Sequence, residues 1–410
     1  MQPTTGAETE VVTGCLASPR IRVAHLITSL NIGGAEQQMK QLVLENMRDR
    51  LKEQTVISMT DNGLISEELR QAGVQVHSLG IPRGKPALSG FLRLLRMLRQ
   101  LRPDVLHCWL YHACLLGVLA GRIAKTKVVW SLQSANKNLA SYRPQTRLVV
   151  RLCAFLSNFA DAIIPNSEVG RTLHERWGYS TSRMCVIPNG IDLGLFRPDP
   201  AAYALARNDL GVSSDTVLVG LFARYHPMKD HATFLRAARI VHSRNANVRF
   251  LLAGEGITAK NPELALLLEE CGLQRAVHLL GARADIPRLT AALDVACLSS
   301  WSEAAPFVVC EAMACGVPCV VTNVGDASRM VGDTGIVVPP RDPEAFAEAL
   351  GRLLTMPVVQ RAALGRRARE FALKHYSVER TVSAYEALYA RGPGRQAVGN
   401  QESVTHVRTT

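Results

Sequence analysis

Short apolar runs alternate with longer amphipathic stretches along almost the whole chain. "IRVAHLITSL" (21–30) has the composition of a strand, and "GGAEQQMKQLVLENM" (33–47) follows with Met39, Leu42, Val43 and Met47 on one helical face. "TVISM", "VQVHSL", "DVLHCW", "VVWSL" and "DAIIP" read as further short strands. The segments between them are long enough for crossover helices, so the pattern predicts a parallel, doubly wound α/β sheet.

Around Pro188 the texture changes. "PNGIDLGLFRPDP" is rich in proline and glycine and contains an Asn-Gly turn signal, which reads as a linker. A second alternation then begins with the strand "TVLVGLFAR" (216–224) and the helix "HATFLRAARIVHS". "VRFLLAGEG" (248–256), "AVHLLG", "DVACLSS", "PCVVT" and "GIVVPP" supply more strands, and Asp342 suits the N-cap of "DPEAFAEALGRLL". The predicted organisation is two Rossmann-like domains, 20–188 and 216–375, facing across a cleft. A hinge spans 189–215, and a last helix over 376–391 has room to cross back to the first domain. Residues 1–19 and 392–410 read as a disordered leader and tail. In such folds ligands bind beyond the carboxyl ends of the strands, which places the site in the cleft.

Composition narrows the class. Hydrophobic residues are 47% and charged residues 20% of the 410, the profile of a globular protein. No apolar stretch is long enough to span a bilayer, and no signal-peptide pattern opens the chain. The ten cysteines lack C-x-x-C spacing and read as reduced and buried. The net charge of +12 favours phosphate-bearing partners. Without zinc-finger spacing or basic–aromatic alternation, nucleic acid is not among them. One stretch, "FLRLLRMLRQLR" (91–102), is amphipathic and basic. Its Arg93, Arg96 and Arg99, with Arg102, Arg83 and Lys85, make it the expected contact with an anionic membrane surface, while Leu92, Leu95 and Leu98 cover the sheet.

The candidate chemistry gathers at predicted strand ends. "ARYHPMKD" sets Arg224 and Lys229 across a turn where a helix begins, an arrangement suited to a diphosphate. Gly254, Glu255 and Gly256 follow another strand and allow close approach of backbone to ligand, and Gly254 and Glu255 are expected at the nucleotide and its ribose. Gly33 and Gly34 open the first helix without the third glycine of a dinucleotide fingerprint, which argues against a nicotinamide or flavin enzyme. Glu303 falls in the loop after "DVACLSS" and Glu311 early in the next helix. Two carboxylates at one sheet edge accept hydrogen bonds from a polyhydroxylated ligand, one for a ribose and one for a sugar. No Asp-x-Asp occurs, so no metal and no cofactor are expected.

Glu303-x7-Glu311 followed by "AMACGVPCVVT", together with "GGAE" (33–36), "DVLH" (104–107), "PNGID" (188–192), "ARYHPMKD" (223–230), "AGEG" (253–256) and "PPRDPEAFAEAL" (339–350), resembles the retaining family-four glycosyltransferases of GT-B fold over nearly all of 21–390. The resemblance implies that Arg224 and Lys229 bind the donor diphosphate, with Gly33 and Gly34 bordering it. It implies that Glu311 holds the nucleotide ribose and that Glu303, with the amides after it, holds the transferred sugar. A histidine of the first domain lies near that sugar in the family, which points to His107, with His112 as the alternative because Trp109 replaces the second histidine of H-x-H. The family's E-G-F-P-N reads Glu303-Ala304-Ala305-Pro306-Phe307 here.

The implied activity is metal-independent transfer of a hexose from a nucleotide-diphosphate sugar to a lipid-linked or oligosaccharide acceptor. The setting would be cell-surface polysaccharide synthesis on the cytoplasmic side of a membrane. A non-hydrolysing nucleotide-sugar epimerase shares the fold, and a non-catalytic nucleotide-sugar binding protein is the alternative of another class.

Overall fold

The computed structural model describes residues 21–390 except 32, 49–51, 61–62, 83–87, 135–138, 140–141 and 214. The expected leader and tail, and Arg83 and Lys85, lie outside the described residues. The first half carries β1 (Ile21–Ile27), β2 (Lys52–Ser58), β3 (Gln75–Ser78), β4 (Val105–Trp109), β5 (Lys127–Leu132) and β6 (Ala162–Pro165). Its helices are α1 (Gly34–Arg48), α2 (Leu64–Gln71), α3 (Leu88–Leu101), α4 (Tyr111–Ala124), α5 (Pro144–Leu156) and α6 (Glu168–Arg176). The second half carries β7 (Val217–Phe222), β8 (Val248–Ala253), β9 (Val277–Leu279), β10 (Val295–Leu298), β11 (Cys319–Thr322) and β12 (Ile336–Val338). Around them stand α7 (Pro200–Asp209), α8 (His231–Arg244), α9 (Pro262–Cys271), α10 (Ile286–Ala291) and α11 (Phe307–Ala314). The described residues end through α12 (Ala327–Val331), α13 (Pro343–Thr355), α14 (Val358–His375) and α15 (Val378–Ala390).

Both sheets are parallel throughout, in the orders β3-β2-β1-β4-β5-β6 and β12-β11-β10-β7-β8-β9. These are two copies of one doubly wound topology, each reversing its strand order between its first and fourth strands. Inner strands buried on both faces explain the near-continuous apolar runs: β4, β5, β10 and β11 have no exposed position. Each half has a core on both sides of its sheet.

The halves are joined by two adjacent crossings. Ile191 donates its N–H to Tyr376 O at 2.8 Å and accepts from Val378 N at 3.0 Å. The chain therefore returns where it left, and α15 packs Val378, Val382, Tyr385, Leu388 and Tyr389 into the core of the first half. The stretch read as a hinge over 189–215 contains α7, which the proline-rich texture concealed. Asp199 caps it by accepting from Ala201 N and Ala202 N, Ala206 enters the second core, and Arg207 pairs with Asp294.

Beneath α15 lies a buried polar network. His107 is fully buried, with Nδ1 2.7 Å from the Tyr389 hydroxyl and Nε2 2.8 Å from Ser131 Oγ. Trp109 Nε1 donates to His25 Nδ1 at 3.2 Å, so His25 carries its proton on Nε2 and donates to Gln54 Oε1 at 2.9 Å. Burial holds the His107 ring well below the usual imidazole range and brings His25 and His174 down to about 4. These rings stay neutral in the folded chain while the unfolded chain protonates them below about pH 6.5. Stability is therefore whole above that pH and is lost as the pH falls from about 6.5 toward 4. The melting temperature should be level from pH 8 to 7 and drop by several degrees by pH 5; a flat profile down to pH 5 would contradict this account.

Candidate functional site

The carboxyl ends of β7, β8 and β10 meet at the mouth of the cleft. Arg224 follows β7 and is exposed. A single 3-10 turn, Pro227–Lys229, then carries Lys229 inward. That turn is fastened to the segment after β10. Trp301 N donates to Met228 O at 3.0 Å, Trp301 Nε1 to Pro227 O at 2.9 Å, and Ser299 Oγ to Lys229 O at 2.8 Å. Lys229 Nζ then donates to Glu303 Oε1 at 2.6 Å, and Ser300 Oγ donates to the same oxygen at 2.7 Å. Lys229 and Glu303, assigned to different parts of a ligand in the sequence, thus form one ion pair.

Gly254 and Glu255 stand beside Arg224. Gly254 has φ +150°, and a Cβ there would sit 2.2 Å from Ala223 O and 2.7 Å from Arg224 N. Only glycine lets β8 pass under the backbone that carries Arg224. Glu255 is exposed, and its carbonyl accepts from Tyr225 N at 2.7 Å. Both residues therefore fix the Arg224 turn.

Glu311 lies in the second turn of α11, half-buried, with no ion pair or side-chain hydrogen bond among the described residues. Burial raises its carboxyl to about 7. The two helix N-termini at this edge differ. Asp230 caps α8, accepting from Thr233 N at 3.2 Å and Thr233 Oγ1 at 2.8 Å. The N-terminus of α11 has no side-chain cap, so its amides and dipole face the cleft beyond Ala304 and Ala305. The open helix end is that of α11, whereas the sequence placed the anion site at the helix beside Lys229.

The first half supplies the opposite wall. Gly34 begins α1, and a Cβ there would lie 3.8 Å from the Phe307 ring across the cleft. A Cβ on Gly33 would collide with the Glu36 carboxylate at 2.4 Å. Glu36 was not singled out in the sequence. Burial raises its carboxyl, while a hydrogen bond from Ser29 and the field of Arg224 oppose that rise. Its place in the first turn of a helix opening on a strand end was the available signal.

His107 does not join this group. It sits in the middle of β4 with both ring nitrogens engaged under α15, which corrects the expectation that it lies at the donor sugar. His112, in the first turn of α4 beyond the end of β4, is half-buried and lowered by that burial. Among the described residues no three His, Cys, Asp or Glu side chains cluster as metal ligands.

Asp326 was also missed. Its Oδ2 accepts from Glu168 N at 2.9 Å and its Oδ1 from Val169 N at 3.0 Å, so a carboxylate of the second half caps α6 of the first. Asp326 N donates to Ala304 O at 2.8 Å. Gly325, at φ +54°, packs against the Glu303 and Ala304 carbonyls, where a Cβ would fall within 2.5 Å of both oxygens.

Comparison with known proteins bears on the family and the fold. Residues 32–195 match the model described as Glycosyltransferase Family 4, and residues 216–356 the model described as Glycosyl transferases group 1. A Bacillus subtilis (strain 168) protein named as a glycosyltransferase, EpsF, is 26% identical over 390 residues, covering 91% of this chain and 97% of its own. The Escherichia coli UDP-Gal:alpha-D-GlcNAc-diphosphoundecaprenol alpha-1,3-galactosyltransferase is 24% identical over 74% of this chain and 79% of its own. Among solved structures, Anabaena Alr3699/HepE in complex with UDP-glucose superposes with a TM-score of 0.79 at 25% identity, covering 91% of this chain and 100% of that one.

The Asp326 contacts carry a testable consequence. Asp326→Ala should release the two α6 amides, cost about 0.5–2 kcal/mol of stability as lost caps do, and loosen the docking of the halves. Small-angle scattering should give a larger radius of gyration than wild type, with Asp326→Asn in between. An unchanged scattering profile for the alanine variant would show that the cap does not hold the halves together.

Proposed function

The chain belongs to the family 4, group 1 glycosyltransferases of GT-B fold, and on that premise we propose that it is a retaining hexosyltransferase using a uridine diphosphate sugar. The reading rests above all on the Lys229–Glu303 pair set beside Arg224 and the uncapped N-terminus of α11. An ammonium has three N–H donors, so Lys229 can keep Glu303 and still bind phosphate. Arg224 takes the outer phosphate oxygens, and the α11 amides take charge that develops as the diphosphate leaves. Glu303 accepts from hydroxyls of the transferred sugar, and Glu311 from the ribose. Protein charges supply the stabilisation, with no metal or other cofactor in the proposed step.

In that step the bond from the sugar anomeric carbon to the diphosphate oxygen breaks, and a bond to the acceptor oxygen forms on the same face. The acceptor proton passes to the departing phosphate, and UDP is released. The uridine assignment draws on the named donor of the galactosyltransferase relative and on the UDP-glucose bound to the Anabaena protein. The acceptor is a lipid-linked or oligosaccharide hydroxyl, the first suggested by the diphosphoundecaprenol substrate in that relative's name. The enzyme would then act in surface-polysaccharide synthesis at the cytoplasmic face of a membrane. Nothing at the site favours the epimerase or the non-catalytic alternative.

Incubation with labelled UDP-glucose or UDP-galactose and membrane extract tests the reaction, with label appearing in lipid or oligosaccharide. Recovery of only an epimerised donor, or of unchanged donor, would contradict it. Arg224→Ala should lower kcat/KM by about ten- to a hundredfold, the value of a charge-assisted hydrogen bond. Lys229→Ala should cost more, because it also strips Glu303 of its cation. Wild-type kcat/KM in either variant would remove that residue from the clamp.

Glu311 gives a pH signature. Its carboxylate accepts ribose hydroxyls best when ionised, and burial holds it at about 7. Calorimetry should show UDP-sugar binding weakening as the pH falls from 8 to 6, and Glu311→Gln should bind weakly with a flat profile. Glu303→Gln should leave UDP affinity near wild type and slow transfer. Equal losses of UDP affinity in the two variants would end this division of labour.

A further inference from the structure

We propose that the outer surface of α4 and α5 is a docking face for an anionic lipid bilayer. The face begins with a helix that is apolar on both sides. Inward, α5 buries Val150, Cys153 and Ala154. Outward, Leu148 is 59% exposed, Leu152 39% and Phe155 78%, and Phe159 continues the line in the 3-10 turn that follows. The spacing of these four positions makes one helical stripe. On the adjoining α4, Leu119 and Ile123 are exposed as well, and Arg122 lies over the Phe159 ring at 5.7 Å, tying the two elements into one patch. A helix with a second apolar face on the outside has a partner for that face.

Charge identifies the partner. The sequences of α3, α4 and α5, which pack side by side, contain no aspartate or glutamate. Arg122 and Arg151 rise beside the apolar stripe, exposed, with Arg147 partly so. A second copy of this chain fits poorly, because isologous pairing would set arginine against arginine with no carboxylate to answer. An anionic bilayer answers both features: apolar side chains enter the headgroup boundary while arginines lie along the phosphates. The helix α3, which the sequence nominated, contributes its exposed arginines, but Leu95 and Leu98 are buried, and its exposed leucines, Leu88 and Leu92, stand only in its first two turns. It can add charge, whereas the apolar contact belongs to α5.

The placement suits the reaction. α5 starts at the carboxyl edge of the sheet, where the cleft opens, and runs down the flank of the first half. A membrane on this flank would lie alongside the cleft mouth, within reach of a hydroxyl on a lipid-linked acceptor. The inference deepens the lipid-linked reading of the acceptor. Its test uses bare vesicles and no acceptor, so docking and transfer can fail separately.

The full chain should float with phosphatidylglycerol–phosphatidylcholine vesicles and not with phosphatidylcholine alone. Phe155→Ser with Phe159→Ser should lower the partition at least about tenfold, and Arg122→Glu with Arg151→Glu about as much. Phe155→Trp should retain binding, as an interfacial aromatic does. UDP affinity and melting temperature, measured on each variant, confirm that the fold and donor site are intact. The proposal is overturned if wild type ignores anionic vesicles. It is also overturned if the serine variants bind like wild type while Arg93→Glu, Arg96→Glu and Arg99→Glu together abolish binding, which would move the contact to α3. A wild-type dimer that Phe155→Ser splits, with no vesicle binding, would assign the patch to a second copy instead.

Discussion

The ion pair between Lys229 and Glu303 is the contact on which the arrangement of the cleft depends. The side chains of Lys229 and Glu303 are 23% and 13% exposed, so either charge alone would be costly in place. Each is also fixed through its backbone: the turn that carries Lys229 is bonded to Ser299 and Trp301, four or fewer residues before Glu303. The pair is therefore part of a closed ring of hydrogen bonds between the ends of β7 and β10, and its geometry exists before any ligand arrives. Preset donors are worth most where charge develops during a reaction, because no reorganisation is needed at that moment.

The same ring extends across the cleft. The Glu303 and Ala304 carbonyls pack on Gly325, and Ala304 O accepts from Asp326 N, whose side chain caps α6 of the first half. Any ligand that shifts the Glu303–Ala305 segment must move or strain the Asp326 cap. Binding at the second half and docking of the first are thus joined by three short contacts. The paired crossings, bridged at Ile191 and Ser377, are the covalent connections between the halves.

The fold was legible because burial on both faces of parallel sheets writes continuous apolar runs into the sequence at the inner strands, while the edge strand β3 was read from the shorter run around Val76. Of the candidate site, what the sequence made legible is placement: Arg224, Lys229 and Glu303 were read beyond strand ends, and Glu311 in the following helix, where they stand. What escaped depends on long-range packing. α7 was hidden by the prolines that start it, since proline at a first turn and proline in a linker look alike. His107 misled because a histidine in an apolar strand gives no sign of which face it takes; Tyr385 and Tyr389, nearly three hundred positions away, decide that it is core. Asp326 and Glu36 gained meaning only from partners in the other half.

The segment Glu303-Ala304-Ala305 departs from the family pattern without strain in its own backbone. Glycine is required where φ is positive or where another chain segment passes too close for a Cβ. Neither Ala304 nor Ala305 has positive φ, so alanine adopts this loop without strain. The close approach has been met from the other side, by Gly325 packing on the loop carbonyls. Against the family pattern, Ala304 adds one methyl group where glycine stands and Ala305 removes the aromatic ring of a phenylalanine. Phe307 changes the opposite wall, placing an aromatic ring against Gly34 where the family pattern has asparagine. These substitutions touch neither Arg224 nor Lys229 and alter the segment between the two glutamates. On the proposed function that segment borders the transferred sugar, so these substitutions bear on which sugar or acceptor is taken, while Arg224, Lys229 and the open end of α11 would bind any nucleotide diphosphate.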